Sequence, residues 1–552
     1  LHVRSRRQRQ MCIRDRAYDY VLMPGKTSEE VAAYAENPDI QVLCNSTFVQ
    51  AVADRKANAA GYIFWGDIST PVRIGEVEGT VGFITTVKDT ENHTMRVGMS
   101  DVHQNKKSLT FRIYGNNLTM VQGNDKVDAK FDKYGVTLTV NTEDAMGATI
   151  EVTLGYEDLP QEQLDELSDI RERYNLSKTG NDMSDKTDKE YQAFMKQYTD
   201  EAKAALEKLN WDACDGEKLF TDLELLDWKN KGSNNTDGSA NLTETANRIL
   251  ALARAYESEG TGKDYYQNEK VREALEVCLE YLMDGFPNVL NYHDRVFGNW
   301  WDWSIGVPKA LTETGLLLYD EFEKGGAFEE LGVRYRNELY NMIQLLVPDV
   351  NYYWGRSSNG RAARYAATGA NGSEMAMCTL YNGLIGNDPQ SLLKVSDTMV
   401  NELKYVETGE GFYKDGSFKQ HGNFAYNGAY GVEKLRAVTD IAVLLNNTSW
   451  ECTDADPNII YEWILNGFRP LYADGAIFDM VQGRSISRFN RTDITTGRYA
   501  MDAIVRLAGN APEEYKDKLL SFAKTQASLG IQNDADSYYK GLKSMGAVIA
   551  VK

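Results

Sequence analysis

The chain has 552 residues, which is too long for one compact core and predicts roughly two to four domains. Its net charge of −21 at pH 7 argues against nonspecific nucleic-acid binding, although a local cationic patch can still bind an anion. No run of about 18 apolar residues is present, so no membrane-spanning helix is predicted. The six cysteines form no CxxC pair and no metal-ligand spacing, which predicts that most of them are small core residues.

The first 16 residues are rich in arginine and lack the apolar segment of a signal peptide. A functional basic arm is one interpretation. However, "MCIRDR" is what a common sequencing adaptor reads as when translated, so we expect residues 1–16 to be an artefact. We also expect the chain to be a fragment, and the missing signal peptide then says nothing about secretion.

Residues 17–155 predict a small antiparallel β-sandwich. Runs such as "VGFITTV", "SLTFRIYG" and "GVTLTVNT" are rich in β-branched residues, and Asn, Gly and Asp turns separate them. From 156 to 190 the sequence becomes polar and acidic, which indicates a linker with some helix.

From residue 191 to about 540 the sequence predicts helical hairpins arranged as an α/α toroid or solenoid. Segments such as "TANRILALARAYE" and "VREALEVCLEYLMDG" place apolar residues at i, i+3, i+4 and i+7. No strict sequence period is visible, so a regular repeat array is disfavoured. The chain ends on the strand-like run "MGAVIAVK", where we expect a truncation.

The segment "GNWWDWSIGVPKAL", residues 298–311, holds three of the nine tryptophans within four positions. Adjacent Trp300 and Trp301 cannot both face one way on a helix. At least one indole is therefore expected at the surface, where it can stack on the flat face of a sugar. Core packing is the alternative, and we favour it for Trp303.

Residues 351–373 contain three arginines, Arg356, Arg361 and Arg364, and no acid. In an acidic protein this creates a local positive field, although a solvated loop is the alternative for any one arginine. Asn371 stands at a predicted helix start, where it can serve as an N-cap. The free N–H groups of a helix start can also bind an anion.

The segment "DGSFKQHGNFAYNGAYG", residues 415–431, combines one of five histidines, His421, with Tyr426 and Tyr430. Its glycines argue against a helix interior, so the tyrosines are expected on a loop. Histidine is a general base near neutral pH, whereas tyrosine needs cationic neighbours for that role. A structural histidine is the alternative.

The segment "QGRSISRFNR", residues 482–491, spaces Arg484 and Arg488 four apart, one above the other if the segment is helical. Two stacked arginines suit a carboxylate or a sulfate, and surface salt bridges are the alternative. A histidine, a tyrosine, an amide and two arginines on separate loops of one helical domain would suit acid–base chemistry on an anionic sugar. No CxxC, HExxH, P-loop or GxSxG pattern competes.

These four segments resemble polysaccharide lyase family 8, which includes hyaluronate, chondroitin AC and xanthan lyases. The family carries near-identical "NWWDWEIG-P-A", "TGAN", "DGSF-QH----Y-GAYG" and "GRSISR" segments, in the same order as here. The resemblance covers about residues 190–552. It implies a multidomain α and β protein, with an incomplete α/α toroid at 191–540 and the start of a truncated central β domain at 541–552.

By position, His421 and Tyr430 match the family's catalytic pair, and Asn371 matches the amide that neutralises the substrate carboxylate. Arg484 and Arg488 match its active-site arginines. Asn299, Trp300 and Trp301 match the family's aromatic patch, which orients the glycan. The other expected substrate-binding residues are the arginines of the 351–373 loop: Arg356, Arg361 and Arg364.

The resemblance implies β-elimination on a uronic acid. Asn371, helped by His421, would neutralise the carboxylate, while Tyr430 would remove the C5 proton and then protonate the leaving oxygen. No metal or other cofactor is expected. The expected partner is an anionic polysaccharide of the hyaluronan, chondroitin or xanthan type, without nucleic acid or membrane insertion, and the expected location is extracellular.

The β unit at 17–155 also resembles the family, but out of order. "YDYVLMPGKTSEEVAAYAENPDIQVL" is similar to the start of the family's C-terminal β domain, which normally follows the toroid and a large central sandwich. Tandem lyases or wrongly joined pieces both explain this order. The smooth passage through 156–190 favours the tandem.

Two departures qualify the resemblance. Ser304 stands where the family has a glutamate in "WWDWEIG", which predicts a changed supporting contact beneath the aromatic patch. The central sandwich, which in the family closes the cleft and supplies a supporting glutamate, is missing, so we expect the fragment to work poorly alone.

Two other functions stay open at this point. A toroid glycoside hydrolase would need two carboxylates flanking the bond, and the site segments offer only Asp302, Glu374 and Asp415. A glycan-binding protein without catalysis is the second alternative.

Overall fold

The computed structural model describes residues 20–36, 38–45, 49–66, 71–101, 103–213, 218–224, 236–289, 298–323, 325–356, 362–488, 491–527 and 538–551. The proposed adaptor at 1–16 lies outside these ranges. Within the described residues, no helix combines the length and the apolar character needed to span a membrane.

The N-terminal part is an antiparallel β-sandwich, as predicted, preceded by helix α1 (Ser28–Glu36). Its larger sheet has the order β1-β2-β3-β6-β7-β12-β9, and its smaller sheet has the order β10-β11-β8-β5-β4. The strands are β1 (Ile40–Asn45), β2 (Val49–Asp54), β3 (Ala59–Phe64), β4 (Val72–Ile74), β5 (Val77–Gly79), β6 (Gly82–Asp89), β7 (Thr94–Ser100), β8 (Ser108–Tyr114), β9 (Thr119–Gln122), β10 (Val127–Asp132), β11 (Gly135–Asn141) and β12 (Ile150–Gly155).

The two sheets pack face to face because alternate residues of each strand point inward. Phe64 of the larger sheet and Phe111 of the smaller sheet are fully buried, and their ring centroids lie 6.2 Å apart. A Cβ on Gly79 would lie within about 3.0 Å of both rings. Glycine at this position therefore lets the two aromatic rings approach each other.

Helices dominate the remainder of the chain. They are α2 (Gln161–Thr179), α3 (Lys189–Lys208), α4 (Thr236–Glu257), α5 (Glu269–Val289), α6 (Val307–Leu317), α7 (Tyr319–Phe322), α8 (Glu329–Leu346), α9 (Gly369–Gly386), α10 (Pro389–Glu402), α11 (Val432–Leu445), α12 (Asn458–Trp463), α13 (Asp493–Asn510) and α14 (Glu513–Ala527). Short hairpins complete this part: β13 (Tyr352–Arg356), β14 (Ala362–Ala366), β15 (Gly411–Phe412), β16 (Phe418–Gln420), β17 (Phe424–Ala425), β18 (Tyr472–Ala473), β19 (Ala476–Ile477), β20 (Tyr538–Leu542) and β21 (Ala547–Val551).

The helices form an inner and an outer row, which is the arrangement of an incomplete α/α toroid. In the inner row α4, α6, α9, α11 and α13 pack side by side in chain order, while α3, α8, α10 and α14 pack outside them. The predicted fold class is confirmed. The final strand-like run is also confirmed, because β21 pairs with β20.

Helix α2 lies against the C-terminal ends of the inner helices. Its side chains Arg171, Arg173 and Asn175 donate hydrogen bonds to backbone carbonyls at or just past the ends of α9, α11 and α6, respectively. Carbonyls at a helix C-terminus lack intrahelical partners and favour cations. The segment interpreted as a linker at 156–190 therefore contains a helix that packs into the ring, and the N-terminal ends of these three helices face away from it.

The β-sandwich docks on the outer helices through a buried ion pair. Arg73 of β4 lies 2.8 Å from Asp388, and both side chains are less than a tenth exposed. Asp388 also accepts a hydrogen bond from Tyr340 of α8 at 2.9 Å. Nearby, Lys394 of α10 donates to Tyr114 at 2.9 Å. The two parts thus share a hydrogen-bonded contact, although the assignment of domains and the tandem arrangement stay predictions.

Most of the described cysteines are core residues, as predicted. Cys278 and Cys378 are fully buried, Cys44 is nearly so, and Cys452 is half-buried. Burial raises the pKa of the Cys278 thiol, since an apolar interior disfavours the thiolate. In the described ranges, no cluster of three or more His, Cys, Asp or Glu side chains is arranged to hold a metal ion.

Candidate active site

The tryptophan segment enters α6 through a π-helical turn, Asp302–Gly306, which is a rare geometry often found at functional sites. Asp302 anchors this turn, because its carboxylate accepts hydrogen bonds from Ser239 at 2.6 Å and Thr243 at 2.9 Å on α4. Burial raises the pKa of Asp302. Asn299 stabilises the entry, since its side-chain oxygen accepts a bond from the Trp301 amide at 3.2 Å.

The three indoles divide between core and surface. Trp303 is 5% exposed, which confirms its assignment to the core, while Trp300 and Trp301 are both half-buried. Trp301 packs on Gly306, where a Cβ would lie 2.7 Å from its ring. Ser304 is 4% exposed, so this departure from the family motif lies in the protein interior.

Trp300 belongs to an aromatic stack that the sequence did not reveal. Its ring lies parallel to that of Tyr353, with centroids 3.6 Å apart, and Tyr353 stacks on Tyr365 at 5.7 Å. Both tyrosines lie on the β13–β14 hairpin, in positions paired across the strands. Tyr365 is 37% exposed. The stack therefore covers one face of the Trp300 ring with Tyr353.

Asn371 lies in the first turn of α9 and is 7% exposed. The N-cap is Thr368, so the interpretation of Asn371 as an N-cap is wrong. The preceding Gly369 has a φ of +60°, and the amide of Ala370 donates to Gln420 at 3.1 Å. Because Gln420 directly precedes His421, this bond places the helix start beside the histidine segment.

His421 occupies the turn between β16 and β17. Its φ is +53° and that of Gly422 is +90°, so two successive residues of this three-residue loop have positive φ. Tyr430 follows in a second π-helical turn, Asn427–Gly431, that leads into α11. The prediction that the tyrosines lie on a loop is correct for Tyr426, which precedes this turn, and wrong for Tyr430, which lies in it.

Three of the predicted catalytic side chains meet in one cluster. His421 Nε2 lies 2.9 Å from the Tyr430 hydroxyl. Arg484 Nη2 donates to the Tyr430 hydroxyl at 2.7 Å and lies 3.2 Å from His421 Nε2. The Arg484 backbone amide donates to the buried hydroxyl of Tyr426 at 3.1 Å. This bond holds residues 482–488, which we call the arginine loop, against the segment that carries Tyr426 and Tyr430.

The contacts of His421 determine its tautomer. An arginine nitrogen can only donate, so Nε2 accepts and the proton of the neutral ring is on Nδ1. Burial lowers the pKa of His421, and the positive charge of Arg484 lowers it further, against the opposing charge of Glu410. A neutral imidazole can therefore accept the Tyr430 proton, while Arg484 stabilises negative charge on the tyrosine oxygen.

Arg488 does not stack on Arg484. Residues Gly483–Ser487 form a 3₁₀ helix, in which side chains three positions apart coincide, and Arg488 follows it with extended backbone (φ −90°, ψ 119°). The expected alignment of the two arginines on one helix face is wrong for this reason. Arg488 is exposed, and its part in the site stays a prediction.

Of the three arginines at 351–373, Arg364 is fully described. It forms an ion pair with Asp349, and its guanidinium lies 4.0 Å from the centre of the Tyr352 ring. The positive field expected from this segment is thus partly neutralised by an acid just outside it. The side chain of Arg356 and the whole of Arg361 lie outside the described residues.

The carboxylates that a hydrolase would need are engaged in structural contacts. Asp302 binds two hydroxyls of α4, as described above, and Glu374 is 3% exposed and lies 3.1 Å from Lys309. Asp415 accepts hydrogen bonds from the backbone amides of Ser417 and Ser544. The site therefore does not favour the hydrolase alternative.

A buried ionic cluster connects the segments that build the site. Glu433, three residues after Tyr430, lies 2.8 Å from Arg491, 3.2 Å from Arg436 and 3.8 Å from Lys309. Lys309 belongs to α6, behind the tryptophans, and also pairs with Glu374 of α9, as noted above. We define Lys309, Glu374, Glu433, Arg436 and Arg491 as the ionic cluster.

The two carboxylates of the ionic cluster titrate differently. Three cations surround Glu433 and hold its pKa at about 2, despite burial. Burial raises the pKa of Glu374, which pairs with Lys309. Spacing alone could not reveal this cluster, because its members come from four separate segments.

A family model described as "Polysaccharide lyase family 8, N terminal alpha-helical domain" matches residues 174–525. Among curated proteins, a hyaluronate lyase of Thermasporomyces composti is 33% identical over 277 residues, covering 50% of this chain and 32% of the relative. A xanthan lyase of Bacillus sp. (strain GL1) is 29% identical over 346 residues, covering 61% of this chain and 33% of the relative.

Solved structures show the same fold. The Streptomyces coelicolor A3 chondroitin AC lyase in complex with chondroitin sulphate aligns with a TM-score of 0.56 and 22% identity, covering 69% of this chain and 51% of that one. A Paenibacillus xanthan lyase aligns with a TM-score of 0.55 and 24% identity, covering 71% and 36%. The chain thus spans about a third of the curated relatives described above and up to about half of these solved chains.

Proposed function

The chain belongs to polysaccharide lyase family 8, and we propose that it cleaves a uronate-containing polysaccharide by β-elimination. The observation that carries this proposal is the contact of His421, Tyr430 and Arg484, which combines a neutral base, a proton carrier and a cation within 3.2 Å. Elimination needs such a group, because it must remove a C5 proton and return a proton to the leaving oxygen.

In the proposed reaction, the side chain of Asn371 donates to the uronate carboxylate, and this stabilises the charge that develops when C5 loses its proton. Tyr430 gives its proton to His421 Nε2, and the tyrosinate, stabilised by Arg484, removes the C5 proton. The C4–O bond then breaks as the C4=C5 double bond forms. The same tyrosine oxygen passes the C5 proton to the leaving glycosidic oxygen, and His421 then returns its proton to Tyr430, so no net proton is consumed.

The aromatic stack of Trp300, Tyr353 and Tyr365 is the proposed platform for a sugar ring. Tyrosine and tryptophan rings bind the apolar face of a sugar and leave its hydroxyls to polar neighbours. Asn299, Trp301 and Arg488 are proposed to bind substrate around this platform, and the arginines at 356, 361 and 364 keep that predicted role.

We propose an extracellular location, since long polysaccharide chains are degraded outside the cell.

The test of the function is to incubate the full chain with hyaluronan, chondroitin and xanthan in parallel. Elimination creates an unsaturated uronate whose double bond absorbs in the ultraviolet, whereas hydrolysis gives saturated products without that absorbance. We expect new absorbance with at least one polymer. New reducing ends without absorbance would support a hydrolase instead, and binding without any cleavage would support a glycan-binding protein.

Gly483 offers a sharper test of the arginine loop. Its φ is +51°, and a Cβ there would lie 2.2 Å from the Tyr426 ring. We expect Gly483→Ala to displace Arg484 and to lower kcat by about 10- to 100-fold, since small displacements of a catalytic group have effects of this size. Steady-state kinetics measures this. Gly509→Ala is the matched control because Gly509 has open space around its Cβ position, and an equal loss there would contradict the prediction.

A further inference from the structure

Glu410 bridges two segments of the site with one carboxylate. It directly precedes β15 and is half-buried. One of its oxygens, Oε2, accepts a hydrogen bond from the Thr368 hydroxyl at 2.7 Å, and the other, Oε1, accepts one from the backbone amide of His421 at 2.8 Å. The two donors are separated by more than fifty residues in the chain.

Each of these donors controls a reacting group. Thr368 is the N-cap of α9, and Asn371 follows three residues later in the same helical turn. His421 has a φ of +53°, which is unusual for a residue other than glycine and needs support from its surroundings. The hydrogen bond to Glu410 supplies such support at the amide of the strained residue.

We propose that Glu410 is a positioning residue for the elimination, because its carboxylate fixes the distance between the Asn371 helix turn and His421. In the proposed function, Asn371 holds the uronate carboxylate while the His421–Tyr430 pair works at the adjacent C5 carbon. The two groups must therefore keep a fixed spacing. This inference rests on the proposed function for its consequence, and on the two hydrogen bonds for its geometry.

The charge of Glu410 gives a second, independent signal. Within the described ranges, the groups that face His421 are Tyr430, Arg484, Tyr426 and Glu410. Among these four, Glu410 is the carboxylate, and its charge acts to raise the pKa of His421 against burial and Arg484. Loss of this charge should shift the titration of His421 to lower pH, which a purely structural contact would not do.

Two substitutions separate geometry from charge. Glu410→Ala removes both hydrogen bonds, and we expect kcat to fall by about 10- to 100-fold with KM little changed. In Glu410→Gln the amide oxygen can accept from His421 and the NH₂ group can donate to the Thr368 hydroxyl. This variant should therefore keep most of the activity, while His421 titrates at lower pH.

The measurements are steady-state kinetics on the responsive polymer and NMR titration of the histidine rings in the full chain, which has only five histidines. Glu407→Ala, an exposed glutamate on the same loop, is the matched control and should behave like the parent. Thermal unfolding of each variant shows whether it is folded. If Glu410→Ala does not fold, Thr368→Val carries the kinetic test, since it removes one of the two bonds and should lower kcat less.

Parental kcat in a folded Glu410→Ala variant would overturn the proposal. So would an equal loss of kcat in Glu410→Gln, because charge and not position would then be responsible. If the parent chain cleaves none of the polymers, the proposed function fails. In that case, an unchanged His421 pKa in Glu410→Gln would still contradict the inferred effect of the Glu410 charge on His421. The failure of the function and the failure of this inference are therefore distinguishable.

Discussion

Replacing Tyr430 by phenylalanine is expected to lower kcat by about 10²- to 10⁴-fold, the range typical of general acid–base catalysis. The hydroxyl is the group that touches both His421 Nε2 at 2.9 Å and Arg484 Nη2 at 2.7 Å. Phenylalanine keeps the ring and its packing against Tyr426 and removes only the hydroxyl, which is the proposed proton carrier. KM should change much less, because the aromatic stack and the arginine loop stay in place.

The measurement is the initial rate of ultraviolet absorbance on the polymer that responds to the parent chain. Tyr413→Phe is a matched control. Tyr413 lies beside β15 and is 7% exposed, and its hydroxyl donates a hydrogen bond to the carbonyl of Gly409. It should keep the parental rate. A Tyr430→Phe variant that retains more than about a tenth of the parental kcat would exclude Tyr430 as the proton carrier.

Replacing Glu433 by glutamine is expected to cost about 2–3 kcal/mol of unfolding free energy at pH 7. Removal of one partner from a fully buried ion pair typically costs about 3–5 kcal/mol, because an unpaired charge stays in the interior. Here the cations Lys309, Arg436 and Arg491 keep 25%, 33% and 32% of their side-chain surface exposed, so water offsets part of that penalty.

The loss should depend on pH in a defined direction. The folded-state pKa of Glu433 lies at about 2, below its ordinary value of 4.5. A carboxyl whose pKa is lowered by folding stabilises the protein above its ordinary pKa and loses this contribution as the pH falls through the folded pKa. The difference between parent and Glu433→Gln should therefore be constant above about pH 5 and shrink between pH 4.5 and 2.

Denaturant unfolding followed by far-ultraviolet circular dichroism measures this difference, since that signal reports mainly the helical ring. Glu244→Gln is the control, because Glu244 forms an exposed i,i+4 pair with Arg248. Its removal should cost less than about 1 kcal/mol. Equal stability of parent and Glu433→Gln at pH 7 would show that the ionic cluster does not hold the site segments together.

The segments proposed to carry the chemistry could be recognised in the sequence because each is local. His421 and Tyr430 are nine residues apart on a hairpin and the turn that follows it, and the structure places them in contact. Trp303 could be assigned to the core because three indoles in four positions cannot all face one side. Arg484 also reaches the cluster. The prediction that Arg484 and Arg488 stack on one helix face is nevertheless wrong, because Arg488 has extended backbone.

What the sequence missed depends on contacts between distant segments. Tyr353 of the aromatic stack, Glu410, and the ionic cluster around Glu433 each join residues that lie tens of positions or more apart. No periodicity or spacing marks such pairs, because the distance between them is decided by how the helices pack. Likewise, the acidic segment at 156–190 reads as a linker, and only packing shows that α2 covers the ends of three inner helices.

The sequence by itself determined the class of each segment, the family resemblance and the candidates His421, Tyr430, Asn371 and Arg484. These follow from local composition, since hydrophobic period and motif order are properties of neighbouring residues. The tertiary structure decided which candidates meet, which nitrogen of His421 carries the proton, and which acids contact the segments of the site. The physical reason is that hydrogen bonds and ion pairs act over about 3 Å, and only the folded chain brings distant residues that close.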